Sequence, residues 1–99
     1  MTFKYSNVYI NETSTIVGPY ESKGPLSKYY DKKYKDFYFG EKTWEQAEIK
    51  CIEDSINMLF SKARITKKDV DIHIGSDLLN QIVATSYASK KFEIPYIGI

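Results

Sequence analysis

Apolar and polar positions divide the chain into segments of different period. Residues Val8 to Val17 alternate around the polar stretch Asn11 to Ser14 and stop at Gly18-Pro19, which predicts a short strand or hairpin. A loop follows, punctuated by a second Gly-Pro at 24–25, and Tyr30, Tyr34, Phe37 and Tyr38 then recur at helical spacing, which predicts a short helix. The strongest signal starts at Thr43. Thr43-Trp44-Glu45-Gln46 has the form of a capping box, and Trp44, Ala47, Cys51, Ser55, Ile56, Leu59, Phe60 and Ala63 trace one apolar face at intervals of three and four. Glu45, Glu48 and Glu53 come early and Lys62 and Arg64 late, in the order that complements the helix dipole.

Beyond the polar connection Ile65 to Asp69 the period changes to two. Val70, Ile72 and Ile74 alternate with Asp71 and His73, which predicts a strand ending near Ser76. Asp77 then stands where a strand hands over to a helix whose apolar positions are Leu78, Leu79, Ile82, Val83, Tyr87 and Phe92, and Ile94 to Ile99 returns as a strand. A strand, helix and strand within about thirty residues is the size of one βαβ unit, with parallel strands and a right-handed crossover. The fold class is therefore α/β, with a β-rich start, one long helix and a parallel βαβ unit, and residues 1–99 form a single partial domain. The apolar run Ile94 to Ile99 at the chain's end, without a polar tail, is the pattern expected of a piece of a longer protein.

Composition narrows the chemistry. With 42% hydrophobic and 27% charged residues the chain has the make-up of a folded domain. Fourteen Lys and Arg against thirteen Asp and Glu leave a net charge of +1, so no global charge favours nucleic acid or anionic lipid. The single Cys51 cannot form an intrachain disulfide, and no signal-peptide or membrane-spanning run is found, which points to an intracellular setting in which the Asn11-Glu12-Thr13 sequon has no role. His73 has no Cys or second His at metal-ligand spacing, so a hydrogen-bonded structural histidine is expected; Cys51, on an apolar helix face, behaves as a small hydrophobe. Neither suggests catalysis. The Lys28 to Lys35 run with Tyr29, Tyr30 and Tyr34 is diluted by Asp31 and Asp36, and reads as a solvated amphipathic helix with tyrosines partly on the core and lysines outside, rather than a nucleic-acid or membrane site.

A resemblance adds to this. Val8-Tyr9-Ile10-Asn11, Gly18-Pro19, Gly24-Pro25-Leu26, Asp31-Lys32, Trp44 to Glu48 and, most specifically, Gly75-Ser76-Asp77-Leu78-Leu79-Asn80-Gln81 followed by Ile94-Pro95-Tyr96 occur in an order and spacing similar to the opening of the stage V sporulation protein AD family. The resemblance implies the amino-terminal portion of a thiolase-like (condensing-enzyme-like) fold. It also implies a non-catalytic protein that binds dipicolinic acid for uptake into developing spores and release at germination. In that family the ligand is implied to be held by an Asp of the Asp-Leu-Leu-Asn-Gln motif with a Cys and a His further along. Only the Asp matches here, as Asp77, and Gly75-Ser76 replaces the frequent Ala-Gly before it.

Asn80 and Gln81 are candidate amide donors to a ligand carboxylate, although on a first helical turn such residues more often face solvent. For Asp77 the plain alternative is a helix cap worth about 1 kcal/mol, and the two roles are compatible. Dipicolinate is a dianion, so an ionised Asp77 repels it unless free amides, a proton or a bridging calcium offsets the charge; calcium enters as the dipicolinate chelate, and no other cofactor or metal is expected. The remaining implied partners are other stage V sporulation membrane proteins and a second copy joined through the 94–99 edge strand. The implied location is the forespore or spore, peripheral on the spore inner membrane. The alternatives are a fragment of a thiolase or ketoacyl-synthase-type condensing enzyme and a protein-interaction module.

Overall fold

The computed structural model describes residues 2, 4–76 and 83–99. Among them the elements run β1 (Ile16–Val17), α1 (Pro19–Ser22), a 3₁₀ turn (Ser27–Tyr29), β2 (Lys32–Lys33), α2 (Trp44–Ala63), a second 3₁₀ turn (Lys67–Asp69), β3 (His73–Gly75), α3 (Val83–Phe92) and β4 (Tyr96–Gly98). The class is mixed α/β, with two short parallel strand pairs, β1–β2 and β3–β4.

The long helix forms where its periodicity and cap place it. Thr43 is the N-cap and its hydroxyl accepts from the Gln46 amide at 3.1 Å, which satisfies one of the orphan donors of the first turn. The reciprocal half of a capping box is formed instead at Thr66, whose amide donates to Asp69 at 2.9 Å. The helix ends at Arg64, which lies in the left-handed region at φ 56°, and the Ile65 amide closes the end on the Phe60 carbonyl at 3.1 Å.

The βαβ unit is present as a parallel pair in the register His73↔Tyr96, Ile74↔Ile97, Gly75↔Gly98. Of the apolar positions expected on its helix, Leu78, Leu79 and Ile82 lie outside the described residues, and Tyr87 departs from expectation at 61% exposed. The buried helix positions among the described residues are Ala84, Thr85, Ala88 and Ser89, small residues that let α3 lie close to the strands and to α2. Phe92 meets Phe60 of α2 edge to face, with ring centroids 5.9 Å apart, and Lys91 pairs with Glu53 at 3.0 Å. Gly75 shows how tight the contact is: a Cβ there would stand 3.1 Å from both the Thr85 Cβ and the Tyr96 ring and 3.3 Å from His73 Nε2. The absent side chain is what allows β3 and α3 to meet.

The first forty residues depart from expectation. Val8, Tyr9 and Ile10 carry no strand and are 74%, 81% and 86% exposed, and only Ile16–Val17 pairs. The pair is parallel, not a hairpin, because the chain passes through α1 and a 3₁₀ turn before it returns as β2. The helix expected over the tyrosines is also missing. Lys32 and Tyr34 give their amides to the Thr15 and Val17 carbonyls at 3.1 and 2.9 Å, and the Asp36 carboxylate takes the amides of Tyr38 and Gly40 at 3.1 and 2.9 Å. Both sets of bonds compete directly with a helical ladder. The aromatic residues find ring partners instead, Tyr34 on Phe39 at 4.6 Å and Tyr38 on Trp44 at 4.2 Å. Trp44, expected inside, is half exposed as a result.

Candidate functional site

An open cavity of about 540 Å³ lies among the described residues, within the size range of small-molecule sites. Its walls come mainly from Ser14 to Val17 in and before β1, the Cys51, Ile52, Ser55 and Ile56 face of α2, and His73 to Ser76 of β3 and its carboxyl end, with Tyr30 and Thr85 of α3 completing them. Helical spacing of four thus supplies one wall, and the end of a parallel strand, the side of open α/β sheets on which ligands bind, supplies another.

Polar groups lock the walls together. Ser14 Oγ donates to the Ser55 carbonyl at 2.8 Å and lies 3.0 Å from Ser55 Oγ, which joins the segment before β1 to α2. His73 Nδ1 lies 2.6 Å from Ser89 Oγ, and the Thr85 and Tyr96 hydroxyls bond to one another. His73 is therefore the hydrogen-bonded histidine that its alternating context predicts. Burial lowers its pKa, so it is neutral at pH 7. Burial, with the Asp54 and Glu48 carboxylates adding to it, raises that of the Cys51 thiol, the opposite of what a nucleophile requires. Among the described residues no group of three His, Cys, Asp or Glu is placed to hold a metal ion.

The three sequence-predicted ligand residues, Asp77, Asn80 and Gln81, lie outside the described residues. What the structure describes is the ground directly before them in the chain: Gly75 and Ser76 line the cavity.

A second polar centre was missed in the sequence. Asp54 on α2 accepts from Lys32 of β2 at 3.0 Å, from Lys50 one turn earlier at 3.2 Å, and from the Tyr34 hydroxyl. Burial raises the pKa of this carboxyl, but the hydrogen bonds from Tyr34, Lys32 and Lys50 outweigh it and leave the group below the usual carboxylate range. The i,i+4 pair of Lys50 and Asp54 was the legible signal; the partners from β2 were not, because that strand was read as helix. Asp31 similarly anchors the start of β2. It accepts from the Thr15 amide at 2.8 Å and from Lys62 at 3.0 Å, and its carboxyl is held down first by Lys62 and then by Thr15. These centres tie β1–β2 to the long helix and leave the cavity's walls in place.

Comparison with known proteins gives one consistent answer. The family model described as Stage V sporulation protein AD (SpoVAD) matches residues 1–99. The protein named Stage V sporulation protein AD of Bacillus subtilis (strain 168) is 37% identical over 90 residues, which are 91% of this chain and 27% of that protein. The chain thus spans about a quarter of the length of this curated relative.

Proposed function

The chain belongs to the stage V sporulation protein AD family, and from that premise we propose that it is part of a non-catalytic protein that binds dipicolinic acid, for uptake into developing spores and release at germination. The observation that carries the reading is the family match across the whole chain. A cavity of ligand size at the carboxyl end of β3, lined by Gly75 and Ser76 immediately before the Asp77 motif, supports it. In this reading Asp77 contacts the ligand, Asn80 and Gln81 offer amide hydrogen bonds to its carboxylates, and calcium arrives as the dipicolinate chelate. The parallel βαβ unit is then part of one half of a thiolase-like whole. Within this chain neither Cys51, whose thiolate burial disfavours, nor His73, engaged with Ser89, is set up as a catalytic pair; a condensing enzyme would take its nucleophile from after the 94–99 strand.

The location that goes with this function is the forespore or spore, peripheral on the inner membrane beside other stage V sporulation membrane proteins. No described helix is long and apolar enough to cross a membrane. A second copy is proposed to join along the 94–99 segment, where β4 has no strand on its other edge among the described residues, Ile97 of β4 is 49% exposed and Ile99 just after it is 77% exposed. Ile97→Lys abolishes concentration-dependent association if that edge is used.

The test is calorimetric titration of dipicolinic acid, with and without calcium, into a chimaera in which this chain replaces the matching part of the Bacillus subtilis protein. Saturable binding that is lost on Asp77→Ala is the expected result. A folded chimaera that does not bind overturns the proposal, and unchanged affinity after complete chelation removes calcium from it.

A further inference from the structure

A separate cavity of about 400 Å³ is lined by Ser22, Lys23, Ser27, Lys33 and Lys35. Its three cations converge for a reason that begins in β2. Side chains alternate along an extended strand, and Lys32 and Tyr34 are both drawn to Asp54 on α2. Lys33 and Lys35 fall on the other side, where the turn after α1 brings Lys23. The serines brace this wall, with Ser22 Oγ donating to the Pro19 carbonyl at 2.8 Å and Ser27 Oγ to the Ser22 carbonyl at 2.5 Å. Lys33 Nζ is steadied by a neutral acceptor, the Ser27 carbonyl, at 3.1 Å.

No carboxylate lines this cavity, and those near it in the chain are committed elsewhere. Glu21 accepts from the Tyr30 hydroxyl at 3.3 Å, Asp31 from Lys62, Asp36 from the amides of Tyr38 and Gly40, and Asp54 from Lys32 and Lys50. Among the described residues, none of Lys23, Lys33 and Lys35 forms an ion pair. In a chain of net charge +1 this is a local excess of three cations around one concave space. Lysine ammoniums act as point charges toward compact, multiply charged oxyanions, for which phosphate is the common biological case.

We propose that Lys23, Lys33 and Lys35 form a phosphate-group site, separate from the cavity beside the Asp77 motif and independent of the dipicolinate reading. The phosphate belongs either to a soluble phosphorylated compound or to the headgroup of an anionic phospholipid. Tyr20, Leu26 and Tyr29, which are 81%, 53% and 68% exposed on the same segment, offer apolar contacts to the second source.

The experiment uses two probes, inorganic phosphate followed through the amide resonances of residues 22–35, and flotation with phosphatidylglycerol or phosphatidylcholine vesicles. Each is applied to the wild-type chain, to Lys23→Gln/Lys33→Gln/Lys35→Gln, and to the charge-matched control Lys4→Gln/Lys68→Gln/Lys90→Gln. The expected result is saturable binding of at least one probe that weakens about tenfold in the first variant and stays within about twofold in the control. Phosphate shifts without flotation assign a soluble source. Flotation with phosphatidylglycerol but not phosphatidylcholine, with or without phosphate shifts, assigns the lipid headgroup. Equal losses in the two triple variants, or binding of neither probe, overturn the site. Lys35→Gln alone removes no hydrogen bond recorded at the site, so a two- to threefold loss there checks the result against misfolding of the triple variant.

Discussion

The two parallel strand pairs are held in opposite ways. Around β3–β4 the chain is close packed: Ala84, Thr85, Ala88, Ser89 and Ile94 are buried, and a methyl group at Gly75 would fit only if the Thr85, Tyr96 and His73 side chains gave way by a few tenths of an ångström. Around β1–β2 only Pro19 is buried among the described residues before Gly40, and the pair is fastened by charged side chains, Asp31 to Thr15 and Lys62, Asp54 to Lys32 and Lys50. One pair rests on shape and the other on polar fastening, so the same kind of perturbation affects them unequally. A parallel pair normally has both faces covered, and β3–β4, with α3 on one face, comes nearer to that condition than β1–β2 does.

The largest effect belongs to the packed pair. Gly75→Val forces a branched side chain into Thr85 and the Tyr96 ring, and a loss of about 3 kcal/mol is expected, seen as a lower urea midpoint at unchanged m-value. A wild-type midpoint in this variant breaks the comparison, because it means that β3 and α3 separate at no cost. For the fastened pair, Asp54→Ala strands Lys32, Lys50 and Tyr34 together, and about 2 kcal/mol is expected to be lost. That loss shrinks in molar salt, whereas the Gly75→Val loss does not, so repeating both denaturations at high ionic strength separates shape from charge.

This division also explains which parts of the fold were legible in the sequence. The long helix was readable because its cap, its period and its charge order agree, and agreement between levels is what specifies structure. The strands at 73–75 and 96–98 fall within the segments read as strands, the first from its alternation and the second as an apolar run after a helix. The faces of the first are reversed: Ile72 and Ile74 are 45% and 60% exposed, and His73 is the side chain that meets α3. The first forty residues were not legible, because Asp31 and Asp54 bond to groups far off in the chain, which periodicity does not see, while the Lys32 and Tyr34 amides go to β1 and Asp36 takes the Tyr38 and Gly40 amides, donors that a helix at 30–38 would turn inward. Helical spacing among the tyrosines was real but served ring contacts rather than a helix. Of the face read for the third helix, Phe92 packs on Phe60 but Tyr87 does not pack, because the tight approach to β3 is made by the small residues Ala84, Thr85, Ala88 and Ser89. Of the candidate site, His73 was read correctly as structural, while the wall formed by Ser14 and Ser55 bridges 41 positions in sequence and leaves no local signature.

Acid sharpens the contrast through two separate windows. His73 has its pKa lowered by burial from 6.5, so below that value the unfolded chain takes up a proton that the folded chain resists. The stability that His73 contributes is therefore fully present above pH 6.5 and falls as the pH drops through and below that value. Asp54 and Asp31 have pKa values lowered from 3.8, so their contribution is complete above 3.8 and is lost only as the pH falls below that value. Urea midpoints measured from pH 7.5 downward are expected to decline first through the His73 window. His73→Gln, which keeps a partner for Ser89, is expected to flatten that decline and leave the one below pH 4. A decline near pH 6 that survives in His73→Gln assigns it to another group and removes the histidine from the account.

The smallest expected effect lies at the junction between the two regions, where α2 ends before the chain turns toward β3. Arg64 holds the left-handed cap at φ 56°, a conformation that costs a residue with a Cβ about 1 kcal/mol relative to glycine. Its amide bonds run to Phe60 and Ser61, and neither needs the side chain. Arg64→Gly therefore keeps every cap hydrogen bond and is expected to raise stability by about 0.5–1 kcal/mol, less whatever the more flexible unfolded chain takes back. The gain is read as a higher urea midpoint. Because Phe60 beside this cap also meets Phe92, a firmer end to α2 is expected to slow amide exchange in α3 more than in β1–β2. Equal slowing in both regions indicates instead that the chain opens as one cooperative unit, and that the packed and the fastened pairs differ in how they are held but not in when they let go.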